Sequence, residues 1–207
     1  GDPDATVGHA GLGDLARSTA QALQARGVTS VNVALDDTLF TGPSWNSSWE
    51  GGNEAWVAQI QPIMLDVTAH SHTGGYPADP AMEAAQTFSD QLASAGVTVS
   101  GDVSRSAAPS DATELASVAS APLADVLSVS LKASDNTMTE VEGRMVAVAA
   151  GQEASFEGAT KAVLAQLTAD GFQTGGVTMV DCSGLATADR VPSSLLAQII
   201  AHSAGSD

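Results

Sequence analysis

Apolar positions recur at helical spacing near the start of the chain. Leu12, Leu15, Ala22 and Leu23, with Thr19 on the same face, predict a helix that Gly27 stops by supplying a left-handed residue. Val31, Val33 and Leu35 then alternate in steps of two, the pattern of a strand with one face against a core. Residues 36–56 lose periodicity and collect turn formers and the three tryptophans, Trp45, Trp49 and Trp56, which predicts a long loop. Residues 57–68 are apolar and β-branched enough for a strand or two, interrupted by Pro62. Asp79 is a helix cap with Pro80 at the first helical position, and Met82, Ala85, Phe88 and Leu92 line one face up to Gly96, after which Val97 and Val99 open another strand. The order recurs once more, with Val163, Leu164 and Leu167 before Gly171 and Val177-Thr178-Met179-Val180. These segments differ too much in length and loop content to form a repeat array, so the fold class expected is mixed α/β (α+β).

Between residues 100 and 118 the chain is rich in Ser, Ala, Pro and Asp and reads as a linker or edge segment, placing the main boundary near residue 114. Beyond it, Leu123, Val126, Leu127 and Leu131 form one helix face, and Met138, Val141, Met145 and Val148 form a second. Ser134-Asp135-Asn136 sits in the break between these two helices.

Composition narrows the function classes. With 43% hydrophobic residues in 207, a sizeable core can be built. The formal charge of -17 disfavours nucleic acid and anionic membrane surfaces, which require clustered Lys and Arg. No apolar run approaches a membrane span, and the first residues lack the basic start and apolar stretch of a signal peptide. Gly1-Asp2-Pro3-Asp4 is turn chemistry, so the natural chain is expected to begin earlier. Cys182 is the lone cysteine, which leaves no intramolecular disulfide; no histidine lies near it in sequence, and a structural role is expected.

Candidate chemistry is sparse on local grounds. His70 and His72 could begin a metal site, but no third ligand follows at useful spacing, so a solvated loop is expected. The tryptophan loop could line a binding surface or pack on its own domain. Ser134-Asp135-Asn136, taken alone, is cap or turn chemistry.

The surrounding text changes that reading. Ser134-Asp135-Asn136-Thr137-Met138-Thr139-Glu140, with Arg144 beyond, resembles the second motif of the D-Ala-D-Ala carboxypeptidase/endopeptidase family, the low-molecular-mass class C penicillin-binding proteins with inserted domains. Ser155-Phe156-Glu157-Gly158 resembles the family's Ser-Phe-x-Gly stretch, and Asp181-Cys182-Ser183-Gly184-Leu185 with Arg190 resembles its Asp-Gly-Ser-Gly-Leu-Ser-x-x-Asn-Arg segment. Gly1-Asp2-Pro3, Asp79-Pro80 and Ser120-Ala121-Pro122-Leu123 follow the family order as well. The departures are Cys182 in place of Gly, Thr139 in place of Ala and Asp189 in place of Asn. The family's Ser-x-x-Lys and Lys-Thr-Gly motifs are missing: the lysines, Lys132 and Lys161, stand in neither context. The resemblance thus implies a chain truncated at both ends.

The resemblance implies a partial penicillin-recognising serine transpeptidase/β-lactamase-like domain at 115–207, mainly helical, and an inserted region of strands and two helices at 1–114. It further implies serine-type acyl transfer on peptidoglycan stem peptides, with no cofactor or metal, and covalent capture of β-lactams. Ser134 and Asn136 are then the catalytic and substrate-binding residues. Ser134 would relay a proton toward the departing amine, and Asn136 would hold the substrate's acyl-side amide and help orient the lysine. Asp135 would fix the turn. The nucleophile would lie outside the segment, leaving it inactive alone. A secreted or cell-envelope location follows, and association with the missing flanking segments or another copy is expected. The alternatives are a non-catalytic cell-wall or partner-binding homologue and, with less support from the long inserted segment, a β-lactamase.

Overall fold

The computed structural model describes residues 1–66 and 75–205, so the His70 and His72 expectation lies outside the described residues. In order, the elements are α1 (Leu12–Ala25), β1 (Ser30–Val31), β2 (Ala34–Leu35), a 3-10 turn (Asn53–Ala55), α2 (Pro80–Ser94), β3 (Thr98–Val99), β4 (Ser104–Arg105), α3 (Leu123–Ala133), α4 (Asn136–Ala149), α5 (Phe156–Ala169) and α6 (Ser193–Ala204).

Two compact units form. One joins Gly1–Leu39 to Gln61–Ser134 and the other joins Phe40–Ile60 to Asp135–Asp207. Compactness therefore divides the chain differently from the linker composition near residue 114, because the tryptophan-bearing segment packs with residues far downstream.

The first unit contains two arms of similar construction. Each arm is a helix, a left-handed glycine and two short strands: α1, Gly27 (φ 71°), β1 and β2 in one, and α2, Gly96 (φ 89°), β3 and β4 in the other. Both stops close with an amide reaching back over the glycine, from Val28 to the Leu23 carbonyl at 3.0 Å and from Val97 to that of Leu92 at 3.3 Å. Asp79 caps α2 by accepting from the Met82 amide at 3.2 Å, with Pro80 following at the first position. The arms pair in parallel, Ser30 opposite Thr98 and Val31 opposite Val99, then Ala34 opposite Ser104 and Leu35 opposite Arg105. The second arm carries two more residues between its strands, an even number that keeps the pleat on the same face. Ala16, Ala20 and Leu23 of α1 bury against Val33, Leu92 and Val97, with small side chains allowing close helix approach.

In the second unit Trp49, Val57, Ile60, Phe156 and Ala186 form the core, with Phe40, Trp45, Val141, Val180 and Leu185 packed on it. Two expectations are corrected here. Residues 57–66 form no strand, because their polar backbone groups go elsewhere: Val57 N–H to the Asn53 carbonyl, Ala58 N–H to Thr137 Oγ1 and Ile60 N–H to the Ser44 carbonyl. Residues 177–180 form no strand either; Thr178 makes a single antiparallel bridge with Arg190.

The helix faces after residue 115 also differ from their sequence pattern. Leu123 and Leu131 of α3 are 67% and 78% exposed. On α4 the buried positions are Thr137, Glu140, Gly143, Arg144 and Ala147, whereas Met145 is exposed. No helix among the described residues is long and apolar enough to cross a membrane.

Candidate active site

The break between α3 and α4 is built from three consecutive polar residues, each with a different job. Ser134 ends α3 in the left-handed conformation (φ 53°, ψ 46°), where among the described residues it is the one non-glycine with positive φ. An L-residue pays about 1–2 kcal/mol for that conformation, so a serine retained there is held by its surroundings and is a place to look for function. Its side chain is exposed.

Asp135 is the N-cap of α4 and accepts from the Met138 amide at 2.9 Å, which satisfies one of the open donors of the helix start. Asn136 is the first helical residue and donates from Nδ2 to the Trp56 carbonyl at 3.0 Å. A carbonyl can only accept, so this bond assigns the nitrogen of the amide to the Trp56 side and leaves Asn136 Oδ1, an acceptor, outside it. Thr137, buried, accepts from the Ala58 amide at 3.0 Å. The first turn of α4 is thus laced to residues 56–58 by two hydrogen bonds, and Trp56 is 65% exposed.

One turn further along α4 the helix turns polar groups inward. Glu140, fully buried, accepts from the Cys182 and Ser183 amides at 2.9 and 2.7 Å. Burial raises the pKa of its carboxyl and the nearby Asp181 charge adds to this, while the hydrogen bonds from Ser183 and Cys182 oppose it. Arg144, 1% exposed, donates to the carbonyls of Thr41, Ala154 and Pro43 at 3.2, 3.2 and 2.8 Å. Its guanidinium lies 4.3 Å from the Phe156 ring centre and 5.3 Å from that of Phe40. Burial lowers its pKa and the Glu140 charge partly restores it.

Asp181, also fully buried, accepts from Trp49 Nε1, Gly184 N and Ala186 N, each at 2.8 Å. Trp49 stacks edge-on with Trp45 and Phe156 at 4.8 and 5.3 Å, so two of the tryptophans pack within their own unit while Trp56 stays open. The Cys182 thiol is pushed up to about 12 by burial, with Glu140, Asp181 and Asp189 adding to the effect, and is no nucleophile at neutral pH. Its sulfur sits against Gly143, where an added Cβ would lie 2.5 Å from Sγ.

Sequence reasoning placed Ser134, Asp135 and Asn136 at a helix junction, where they stand. It gave no part to the supports behind them: the Trp56 carbonyl, Thr137, and the buried Glu140 and Arg144. The four-residue spacing of Glu140 and Arg144 was the available signal, since it puts opposite charges on one helix face.

Residues 76–207 match the model of the D-Ala-D-Ala carboxypeptidase 3 (S13) family. The chain belongs to this family. It is 34% identical over 209 aligned residues to a carboxypeptidase of Mycobacterium tuberculosis, covering 97% of this chain and 43% of that protein. It is 32% identical over the same length to the carboxypeptidase DacB of Mycolicibacterium smegmatis, covering 96% and 43%. The chain therefore spans less than half the length of these relatives. In fold it is similar to penicillin binding protein 4 (dacB) of Haemophilus influenzae, with a TM-score of 0.71 at 21% identity, over 97% of this chain and 59% of that one. The family expectation from sequence and the mixed α/β class both hold.

Proposed function

We propose that this chain supplies the middle portion of a serine-type D-Ala-D-Ala carboxypeptidase/endopeptidase, acting on peptidoglycan stem peptides outside the cytoplasm through an acyl-enzyme and open to capture by β-lactams. The observation that carries the reading is the junction itself. An exposed serine is held in a costly left-handed conformation beside an asparagine whose amide is locked by a main-chain carbonyl, in a chain of the S13 family. Ser134 relays a proton toward the departing amine. Asn136 presents Oδ1 as the acceptor for an N–H of the substrate or for a lysine ammonium, and its remaining Nδ2 hydrogen toward a substrate carbonyl. Asp135 holds the turn, and the lacing of residues 56–58 holds Asn136. In this reading residues 115–207 are the recognising part and 1–114 the insertion.

The attacking serine and its lysine are not among these roles. Lys132 follows Val129 at three residues' distance and Lys161 follows Gly158, so neither forms a Ser-x-x-Lys pair. The chain alone is therefore expected to take no acyl group.

A fluorescent penicillin tests this. The 207-residue chain stays unlabelled, whereas a longer protein that contains it together with Ser-x-x-Lys and Lys-Thr-Gly is labelled. In that protein Asn136→Ala slows acylation by about 10²-fold or more, in line with loss of one preorganised polar group. Labelling of the isolated chain would overturn the account, and an unlabelled longer protein would favour the non-catalytic homologue.

A further inference from the structure

The Asn136 amide is held by a main-chain carbonyl that lies outside every helix and strand. That acceptor, on Trp56, stands between two stretches of opposite character. Upstream, residues 54–56 are exposed and hang on the Asn53 carbonyl, which accepts from the Trp56 amide at 2.8 Å and the Val57 amide at 3.2 Å. Downstream, Val57, Ala58 and Ile60 are buried, and Val57 and Ile60 belong to the core around Trp49 and Phe156. Apolar burial has no direction, so it sets the depth of this stretch without fixing its register along α4. A hydrogen bond does fix a register, and Thr137 Oγ1 supplies one by accepting from the Ala58 amide at 3.0 Å. A helical threonine commonly turns its hydroxyl back to its own helix, as Thr139 does to the Asp135 carbonyl at 2.8 Å. The Thr137 oxygen instead serves another segment.

Water treats the two bonds differently. Asn136 is half-buried and its bond to the Trp56 carbonyl is exposed, so water can replace either partner and the bond alone holds the amide weakly. Thr137 and Ala58 are both buried, where no solvent replaces a lost acceptor and an unpaired N–H carries its full desolvation penalty. The buried bond therefore governs the exposed one. With Ala58 pinned to Thr137, the carbonyl two residues earlier stands opposite Asn136, so consecutive residues of α4 grip alternate residues of the strip.

We propose that Thr137 is a positioning residue for Asn136: by holding the Ala58 amide, its hydroxyl oxygen keeps the Trp56 carbonyl where it orients the Asn136 side chain. The inference rests on the role given to Asn136 above. It assigns to a buried hydroxyl the task of setting what fraction of the time that amide is turned for reaction. Valine at this position has nearly the same shape and no acceptor, whereas serine keeps the oxygen and loses only the methyl group.

NMR of the Asn136 side-chain amide in the 207-residue chain tests the geometry. The hydrogen-bonded Nδ2 proton should stand downfield in the parent and in Thr137→Ser, and should move upfield to the position of a solvated asparagine in Thr137→Val. An unmoved resonance in Thr137→Val would overturn the proposal. Acylation by a fluorescent penicillin in the longer protein tests the consequence. Thr137→Val should slow it by about 10- to 10²-fold, the cost of a small misplacement of a reacting group, and Thr137→Ser should keep most of the rate. Acting through Asn136, Thr137→Val should slow the Asn136→Ala variant by no more than about twofold further. Losses that simply multiply would mean a structural threonine and sink the positioning role. If Asn136→Ala itself acylates at the parent rate, the reading of Asn136 as a site residue fails, and the amide resonance still decides whether Thr137 orients it. Should the valine variant not fold, Thr137→Ala, which removes the oxygen and favours the helix, takes its place in both measurements.

Discussion

The residue that best separates stability from function is Ser134. Its left-handed backbone gives nothing to the packing of α3 that a glycine would not give more cheaply. Ser134→Gly should therefore stabilise the chain by up to about 1 kcal/mol in chemical denaturation, with an unchanged slope. A loss of stability instead would mean that the hydroxyl has a structural partner. The neighbouring residues carry the opposite balance. Asp135 caps and Asn136 laces, so their side chains support the fold as well as any site. Local propensity alone would assign all three to capping, and for Asp135 that assignment is the observed one.

The helix α4 shows what periodicity can and cannot read. Its existence follows from the sequence, as do α1, α2 and their glycine stops, whereas Asn136, read from sequence as part of the break, is the first residue of the helix. Its apolar stripe at Met138, Val141 and Met145 nevertheless leaves the deepest burial to Glu140 and Arg144. Hydrophobic patterning misreads such a helix because burial of charge depends on partners scattered through the chain: carbonyls at 41, 43 and 154 for Arg144, and amides at 182 and 183 for Glu140. The same reason hides residues 57–66, whose amides at 57, 58 and 60 bond to a carbonyl of the 3-10 turn, a helix side chain and a loop carbonyl, with no strand partner. The Ser134 junction was legible through its surrounding motifs; its supporting shell was not, since that shell is written in main-chain groups that no side-chain motif records. Gly143 tests the closeness of α4 to the loop at Cys182. Gly143→Ala should cost about 1–3 kcal/mol in thermal unfolding from overpacking against Sγ, and adding Cys182→Gly should recover part of the loss.

At the scale of the whole molecule, acid removes the stabilisation of an ion pair within the first unit. Asp79 is held at about 2, chiefly by its hydrogen bonds to the Arg105 guanidinium, which donates at 2.7 and 2.9 Å and also reaches Asp37. Its folded value lies below the unfolded one, so that stabilisation is present above about 4 and is lost as pH falls toward 2. Arg105→Met should lower the thermal midpoint at neutral pH, and the gap to the parent should close as pH approaches 2. A gap that stays constant would mean packing, with no part for the ion pair. The pairing of Phe40–Ile60 with a partner that begins at Asp135 also has a consequence in time. At a synthesis rate of about 5–20 residues per second, the strip bearing Trp45 and Trp49 leaves the ribosome several seconds before α4 exists to receive it. The indole of Trp49 waits longer still, since its carboxylate acceptor lies 132 residues downstream. During that interval the aromatic strip is the chain's most exposed invitation to wrong partners, and a nascent-chain chaperone meeting this protein should be found on residues 40–60.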